Sequence, residues 1–233
     1  MQKLHKQQQK NKDLDSRRNA SRALGLVLRN NMTLPQSLME QDSFRRMTKE
    51  DQAFAHMLLL TTLRRLGQID DLIDSLLMTP LPKKQSNVRD ILRLGATQIV
   101  FLNTPNYAAV NSAVNQVAMS KSHALKGLVN ALLRNVSRKS EEIIRSQDPA
   151  YLNTSKWLWV RWNDLYGEKI ARQLCHAHVL EPPLDITLKN KSFDVKQIPN
   201  STQIMPNTLR IVAAGSVHLL PGYESGEWWV QDI

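Results

Sequence analysis

Apolar residues recur every three or four positions along most of the chain, which is the spacing of one face of an α-helix. The pattern begins at Ser16 and continues to about residue 145, interrupted by short polar or proline-containing connections. The first apolar face consists of Ala20, Ala23, Leu24, Val27 and Leu28. The spacing predicts a mainly α protein whose residues 16–145 form an all-α domain.

Four residues mark predicted helix ends. Pro35 suits the first turn of a short helix, and Thr48 with Asp51 resembles an N-terminal capping box. The helix that follows Thr48 is expected to stop at Gly67 in a left-handed conformation. Arg64 and Arg65 lie in its last turn, where a positive charge interacts favourably with the helix dipole. Helix capping and RNA contact are therefore two alternative roles for these arginines.

Two later segments are expected to lie near the centre of this domain. Glycine in mid-helix costs about 1 kcal/mol against alanine, so Gly95 indicates that another helix crosses close to it. The alanine- and valine-rich segment 107–119 is predicted to be the most buried helix.

The regions on either side of this domain have different patterns. Residues 1–15 are rich in lysine and glutamine, with almost no apolar side chains, and are predicted to be a disordered basic leader. Residues 146–182 are predicted to be a helical bridge, with one helix stopped by Gly167. From residue 183 the apolar period changes to two, which predicts a small, partial α/β subdomain over residues 183–233.

The bridge contains two groups of residues with potential chemistry. Tryptophans at helical spacing could stack RNA bases, but core packing is the favoured interpretation. They are Trp157, Trp159 and Trp162. Cys175, His176 and His178 are too close together in one helix to face a single metal ion, so we expect no metal site and a buried structural role for Cys175.

The formal net charge of +10 is concentrated in two segments. Residues 1–30 carry +6 and residues 121–145 carry +4, while the remainder sums to zero. A field concentrated in this way attracts polyanions, so nucleic acid is the leading candidate partner. An anionic membrane surface and a basic face that only aids solubility are the alternatives.

Seven side chains are the candidate RNA contacts. Cations of the first helix could hold phosphates, and so could cations in a row along the outer face of the helix after residue 122. An amide in that row could both donate and accept hydrogen bonds. These residues are Arg17, Arg18, Arg22, Lys126, Asn130, Arg134 and Arg138.

The sequence contains no recognisable catalytic motif. No glycine-rich phosphate loop or serine nucleophile elbow occurs, and the single cysteine, Cys175, has no activating pattern around it. A single cysteine is typical of a cytoplasmic protein. The sequence has no apolar stretch of about 20 residues, so no membrane span is predicted, and its polar N-terminus predicts no export.

Five stretches of the helical region resemble the NusB-type RNA-binding domain. They are residues 51–53 (DQA), 62–65 (TLRR), 92–98 (LRLGATQ), 108–111 (AAVN) and 129–134 (VNALLR). This domain occurs alone in a transcription antitermination factor and also at the N-terminus of bacterial 16S rRNA (cytosine-5)-methyltransferases of the B type. Residues 182–188 and 226–232 resemble the methyltransferase family, although residues 185–190 depart from its usual arginine-containing strand.

The resemblance implies a role in rRNA recognition. In the family, a Rossmann-like domain that follows binds S-adenosylmethionine and supplies the cysteine that attacks cytosine, and these 233 residues match neither feature. We therefore expect a fragment, pseudogene product or split-gene half that binds small-subunit rRNA, holds no cofactor and does not methylate unaided. A ribosomal protein or a separate catalytic chain is the expected protein partner. A stand-alone antitermination-like module and a protein-interaction scaffold are the alternatives.

Overall fold

The computed structural model describes residues 15–190, 193–212, 214–215 and 217–232, together with the bounds of a first helix that begins at Gln2. The chain divides into two compact units, residues 1–179 and 180–233. Apart from Asp15, the predicted disordered leader lies outside the residues whose side chains are described.

Helices account for almost all regular structure in the first unit. They are α1 (Gln2–Asn30), α2 (Leu34–Met39), α3 (Asp42–Arg45), α4 (Lys49–Arg64), α5 (Leu66–Leu76), α6 (Ser86–Val100), α7 (Asn106–Ala118), α8 (Lys126–Ser146), α9 (Pro149–Leu152) and α10 (Lys156–Val179). Short 3₁₀ turns precede α6 and α8 at Lys83–Gln85 and His123–Leu125. The mainly α fold predicted from the periodicity is confirmed.

Side-chain caps fix the starts of three of these helices, α2, α4 and α9. The Thr33 hydroxyl accepts a bond from the backbone N–H of Gln36 and the Gln36 side chain accepts one from Thr33, so α2 begins with a full capping box. The Thr48 hydroxyl accepts the backbone N–H of Asp51 at 3.2 Å, as its sequence predicts. The single turn of α3 was not predicted, because four residues are too few to show a helical period.

The centre of the unit is α6, which packs against α1, α4, α5, α7 and α8. Leu94 joins the apolar cluster of α1, α2 and α4, whereas Leu92 joins the cluster of α5, α7 and α8. Nine residues of α6 are buried, against five of α7. The prediction that residues 107–119 form the most buried helix is therefore wrong, because α7 covers one side of α6 while α6 is covered on several.

Two glycines allow close packing between helices. A Cβ on Gly95 would lie 2.7 Å from Cδ1 of Leu133 on α8, which confirms the predicted close crossing. A Cβ on Gly67 would collide with the backbone carbonyl of Leu152 in α9. The predicted left-handed helix stop at Gly67 is wrong, since this glycine lies inside α5 and is needed for the approach of α9.

The second unit is organised around an antiparallel sheet in the order β2-β3-β1-β4. Its strands are β1 (Leu184–Leu188), β2 (Ser201–Met205), β3 (Thr208–Ile211) and β4 (Trp228–Val230), with 3₁₀ turns at Val195–Gln197 and Val217–Leu219. Ile186 of β1 lies opposite Leu209 of β3 and Val230 of β4. The alternation at 184–188 and the strand after Thr208 were predicted, but β2 was not, because its burial does not alternate.

Candidate nucleic-acid interface

The α1 cations line an open cleft of about 580 Å³ between α1, α6 and α7, called here the arginine cleft. Arg18 and Arg22 are exposed and contribute their side chains to it. Arg18 lies 4.0 Å from the carboxylate of Asp15, at the limit of an ion pair, and both side chains are more than half exposed. Water screens a pair of this kind strongly, so the cleft keeps a positive rim.

Arg17 does not belong to this exposed rim. Its side chain is buried, its Nε donates to Oε1 of Gln98 at 2.5 Å, and its guanidinium lies 4.9 Å from the centre of the Phe54 ring. The prediction of Arg17 as an exposed RNA contact is corrected accordingly. Residue 17 follows the apolar face of α1 toward α4 and α6, where Arg17 serves packing between these helices.

A network of three arginines and three aspartates joins α1, α5 and α6. Arg29 of α1 donates to the buried carboxylate of Asp90 at 2.6 Å, and Arg93 donates to the same carboxylate at 3.0 Å. Arg93 and Arg89 both pair with Asp70, and Arg89 also pairs with Asp74. The hydrogen bonds from Arg89 to Asp74 raise the pKa of this guanidinium. The network is electrically balanced, so its arginines add little to the field that an RNA phosphate would meet.

Sequence reasoning did not find the link between Arg29 and Asp90. The two residues are 61 positions apart, and Arg29 reaches Asp90 by crossing Gly25, where a Cβ would collide with its guanidinium. An aspartate inside the apolar stripe of α6 was the one indication that a cation had to be near, since a buried carboxylate is costly without a partner.

The second set of candidates forms a row along α8, called here the α8 row. Lys126, Arg134 and Arg138 are exposed and Asn130 is half-buried. Successive members are four residues apart, which corresponds to a rise of about 6 Å. Among the described residues, no carboxylate oxygen lies within 4.0 Å of these three cations, and Arg138 donates instead to the Asn135 side-chain oxygen at 2.7 Å. Their charge is therefore available to a ligand.

The structure does not gather the two sets into one cleft. The arginine cleft includes Arg18 and Arg22 but no member of the α8 row. Both α6 and α7 pack against α1 and also against α8, so these helices separate the two basic surfaces. Six of the seven candidate residues remain predicted RNA contacts, and the buried Arg17 does not.

A match to a known domain covers both basic surfaces. Residues 14–138 match the NusB family, and this is more than half of the chain. The chain belongs to the NusB family. Its matched region runs from the middle of α1 into α8, so Arg18, Arg22 and the whole α8 row lie inside the NusB domain.

Full-length relatives extend the similarity beyond the NusB domain. Ribosomal RNA small subunit methyltransferase B of Escherichia coli O17:K52:H18 is 30% identical in an alignment of 202 residues that covers 80% of this chain. The protein of the same name from Shigella flexneri is 31% identical over the same length. The chain spans 46% of the length of each of these relatives. It thus resembles the N-terminal part of this methyltransferase, as the sequence motifs indicated.

A solved structure supports the fold. The crystal structure of PH0851 superimposes with a TM-score of 0.55 at 14% identity, covering 94% of this chain and 53% of that one. At this identity the match speaks for the fold alone.

The bridge helices after the NusB domain place their tryptophans on the surface. Trp157 is 68% exposed, so its predicted core packing is wrong, while Trp159 and Trp162 are half-buried and make edge contacts with Tyr151 and His178. Gly167, at φ 76°, breaks α10 where the sequence predicts a stop. Cys175 is completely buried, as predicted.

The sheet unit contains an ion pair that the sequence did not indicate. Arg210 of β3 donates two hydrogen bonds, at 2.8 and 2.7 Å, to the buried carboxylate of Asp185 on β1. These bonds raise the pKa of Arg210. They hold together two neighbouring strands in register, because Asp185 and Arg210 are directly opposite each other.

The helices of the described residues include none that is both long enough and apolar enough to cross a membrane.

Proposed function

We propose that this chain recognises small-subunit ribosomal RNA for a cytosine-5 methylation reaction. The observation that carries the proposal is the α8 row, in which three exposed cations and one amide lie along a helix of the NusB domain. Among the described residues, these cations have no carboxylate partners. The name of the relatives, ribosomal RNA small subunit methyltransferase B, supports this RNA as the substrate.

The geometry of the two basic surfaces supports this proposal. Lys126, Arg134 and Arg138 each offer charged donors to a phosphate, and each contact releases counterions from the RNA. Arg18 and Arg22 offer a second phosphate site at the arginine cleft. Contacts of this kind position an RNA without reading its sequence.

The described residues do not fit a site for S-adenosylmethionine. The described part of the second unit is an antiparallel sheet with 3₁₀ turns, and it does not provide the strand–loop–helix unit on which nucleotide cofactors bind. Cys175 is completely buried in a helix and cannot reach a cytosine. Methyl transfer from S-adenosylmethionine therefore belongs, in this proposal, to residues outside these 233, in the same or a separate polypeptide, acting with this chain in the cytoplasm.

A stand-alone antitermination module is not favoured, because the relatives that match 80% of the chain are methyltransferases. The scaffold alternative predicts no RNA affinity, so a binding measurement separates it from the proposal.

The test is fluorescence anisotropy with a labelled small-subunit rRNA fragment and an unrelated RNA over a salt series. Replacement of Arg134 and Arg138 by glutamine should reduce the slope of log Kd against log salt by about 1.4, since each lost phosphate contact accounts for about 0.7 on single-stranded RNA. The double charge reversal Arg18→Glu with Arg134→Glu should weaken RNA binding more than the glutamine double variant does, because it places a negative charge on each of the two basic surfaces.

The matched control replaces Arg145 and Arg172 by glutamine. This pair removes the same charge, but Glu141 holds Arg145 at 2.5 Å and Glu168 holds Arg172 at 2.9 Å, so the salt slope should change little. Equal slopes for the two double variants would contradict a specific role of the α8 row. Methylation of the RNA by the purified chain with labelled S-adenosylmethionine would contradict the assignment of the chemistry to other residues.

A further inference from the structure

Four of the five tryptophans have a partner within the fold, whereas Trp157 has none among the described residues. Trp159 lies edge-on to Tyr151 with ring centres 5.7 Å apart, and Trp162 lies edge-on to His178 at 5.0 Å. The two tryptophans of β4 donate their indole N–H groups to oxygen acceptors, at 2.8 Å each. Trp157 makes no ring contact and no side-chain hydrogen bond with any described residue, and it is 68% exposed.

The first half of α10, up to the break at Gly167, has an inner and an outer side. Its half-buried residues are Leu158, Trp159, Trp162 and Asn163, and its exposed residues include Trp157, Val160, Arg161 and Asp164. Residues three and four apart on a helix are neighbours, so Trp157, Val160 and Arg161 lie next to one another on the outer side. Packing of the unit therefore does not explain the position of the Trp157 indole, although large aromatic side chains are usually enclosed.

Two cations flank the exposed indole. Lys156 directly precedes Trp157, Arg161 lies one turn further along the outer side, and both are exposed. Among the described residues, no carboxylate oxygen lies within 4.0 Å of either cation, and this includes the carboxylate of Asp164 on the same side. A flat ring beside available cations is the combination on which proteins bind single-stranded nucleic acid. An apolar protein surface fits less well, because it would bury both charges without a partner.

The bridge helices are fixed to the NusB domain by an amide network. The backbone N–H of Gln68 in α5 donates to Oδ1 of Asn153 at 3.1 Å, and Nδ2 of Asn153 donates to Oε1 of Gln68 at 2.9 Å. The Gln147 side chain donates to the Gln68 carbonyl at 3.0 Å. The contact between Trp159 and Tyr151 then holds the first half of α10 against α9. The exposed indole therefore belongs to the same folded unit as the α8 row.

We propose that Trp157, with Lys156 and Arg161, is a further RNA contact of this chain, where an unpaired base stacks on the indole and the two cations hold neighbouring phosphates. Every base has a flat aromatic face, so this contact accepts any base and selects none. It differs from the cations of the α8 row, which contact phosphates alone. This inference rests on the proposed function and adds that the RNA is single-stranded where it meets the bridge.

The experiment measures the anisotropy of the full chain with a labelled single-stranded fragment of small-subunit rRNA over a salt series. Trp157→Leu should weaken binding about tenfold through the lost stacking, and should leave the salt slope unchanged because no phosphate contact is lost. Trp157→Phe keeps a flat ring and should retain most of the affinity. Arg161→Gln should instead reduce the magnitude of the salt slope by about 0.7. With a duplex of the same sequence, Trp157→Leu should have no effect, because the bases are already stacked.

Trp229→Leu is the matched control. Trp229 is also exposed, at 43%, but it lies in the sheet unit, where residues 180–233 carry four Lys and Arg against six Asp and Glu. This variant should bind the RNA as the wild-type chain does, and both leucine variants should melt at the wild-type temperature. Equal RNA affinities of Trp157→Leu and the wild-type chain, or equal losses in Trp157→Leu and Trp157→Phe, would overturn the inference and leave the proposed function intact. Absence of RNA binding by the wild-type chain at low salt would overturn both.

Discussion

The two basic surfaces of the helical unit hold their charge in different ways. On α1, Arg29 is bonded to the buried Asp90 within a balanced network, and Arg18 is near Asp15. On α8, Arg134 and Lys126 have no carboxylate within 4.0 Å among the described residues. Similar numbers of cations in the sequence thus produce a partly neutralised, concave surface in one place and an open, convex row in the other.

The difference indicates a division of roles between the surfaces. An open row of cations attracts any RNA backbone, because phosphate contact does not depend on base sequence. A cleft with a positive rim offers phosphate a concave site with a defined shape. The fixed network around Asp90 stabilises the shape of that cleft.

The largest effect is expected from the carboxylate that organises the arginine cleft. Asp90→Ala removes the shared partner of Arg29 and Arg93 at a buried position, and should lower the free energy of unfolding by about 2–3 kcal/mol. Glu141→Ala is the control on α8, where the pair with Arg145 is more than three-quarters exposed and should contribute less than about 0.5 kcal/mol. Urea unfolding measures both values, and equal losses would contradict the comparison.

A smaller effect is expected from two arginines of the same helix. Arg22→Gln should reduce the magnitude of the salt slope of rRNA binding by about 0.7, the contribution of one phosphate contact. Arg29→Gln should leave it nearly unchanged, because Asp90 already neutralises Arg29. A larger slope change for Arg29→Gln than for Arg22→Gln would show that Arg29 contacts RNA in spite of its ion pair with Asp90.

The smallest effect concerns an exposed ion pair outside both surfaces. The hydrogen bond from Arg172 holds the pKa of Asp148 below its ordinary value, so the folded state favours the ionised carboxylate. Its stabilisation is present above an ordinary pKa of about 4 and is lost as the pH falls through the lower folded value. Asp148→Asn keeps a capping oxygen for α9 and should cost about 0.5 kcal/mol at pH 6.

The pH dependence provides the control for this last prediction. The difference in unfolding free energy between the wild-type chain and Asp148→Asn should shrink as the pH falls from about 4 through the lower pKa that Asp148 has in the folded state, since Asp148 then becomes neutral like the asparagine. A difference that is the same at pH 6 and pH 3 would assign the effect to lost packing rather than to charge.

Much of the helical unit could be predicted because its signals are local. The capping residue Thr48 lies within three residues of the group it binds, and the apolar period of α5 is complete within eleven residues. The role of Gly95 was also predictable, since a glycine that weakens its own helix has to be explained by a neighbour. The helix α3 was missed because four residues are too few to show a period, and β2 was missed because its residues do not alternate between buried and exposed positions.

The candidate site was predicted less completely. Charge and spacing identified the α8 row and the two exposed α1 arginines, but they also predicted the buried Arg17 as an RNA contact, like Arg18. Residue 17 differs from its neighbour only in facing Gln98 and Phe54, which are 81 and 37 positions away in the sequence. Gln41, whose buried Oε1 has no hydrogen-bond partner among the described residues, has no feature in the sequence that separates it from other glutamines.

The sequence by itself determined the helical fold, the family and the two segments that carry the positive charge. These properties depend on the order of residues over one or two helical turns and on composition. Only the tertiary structure decided which charges remain available, which glycine is needed for packing and where a buried amide lacks a partner. Those properties depend on distances between side chains of different helices, which the packing around α6 sets and no single segment of the sequence contains.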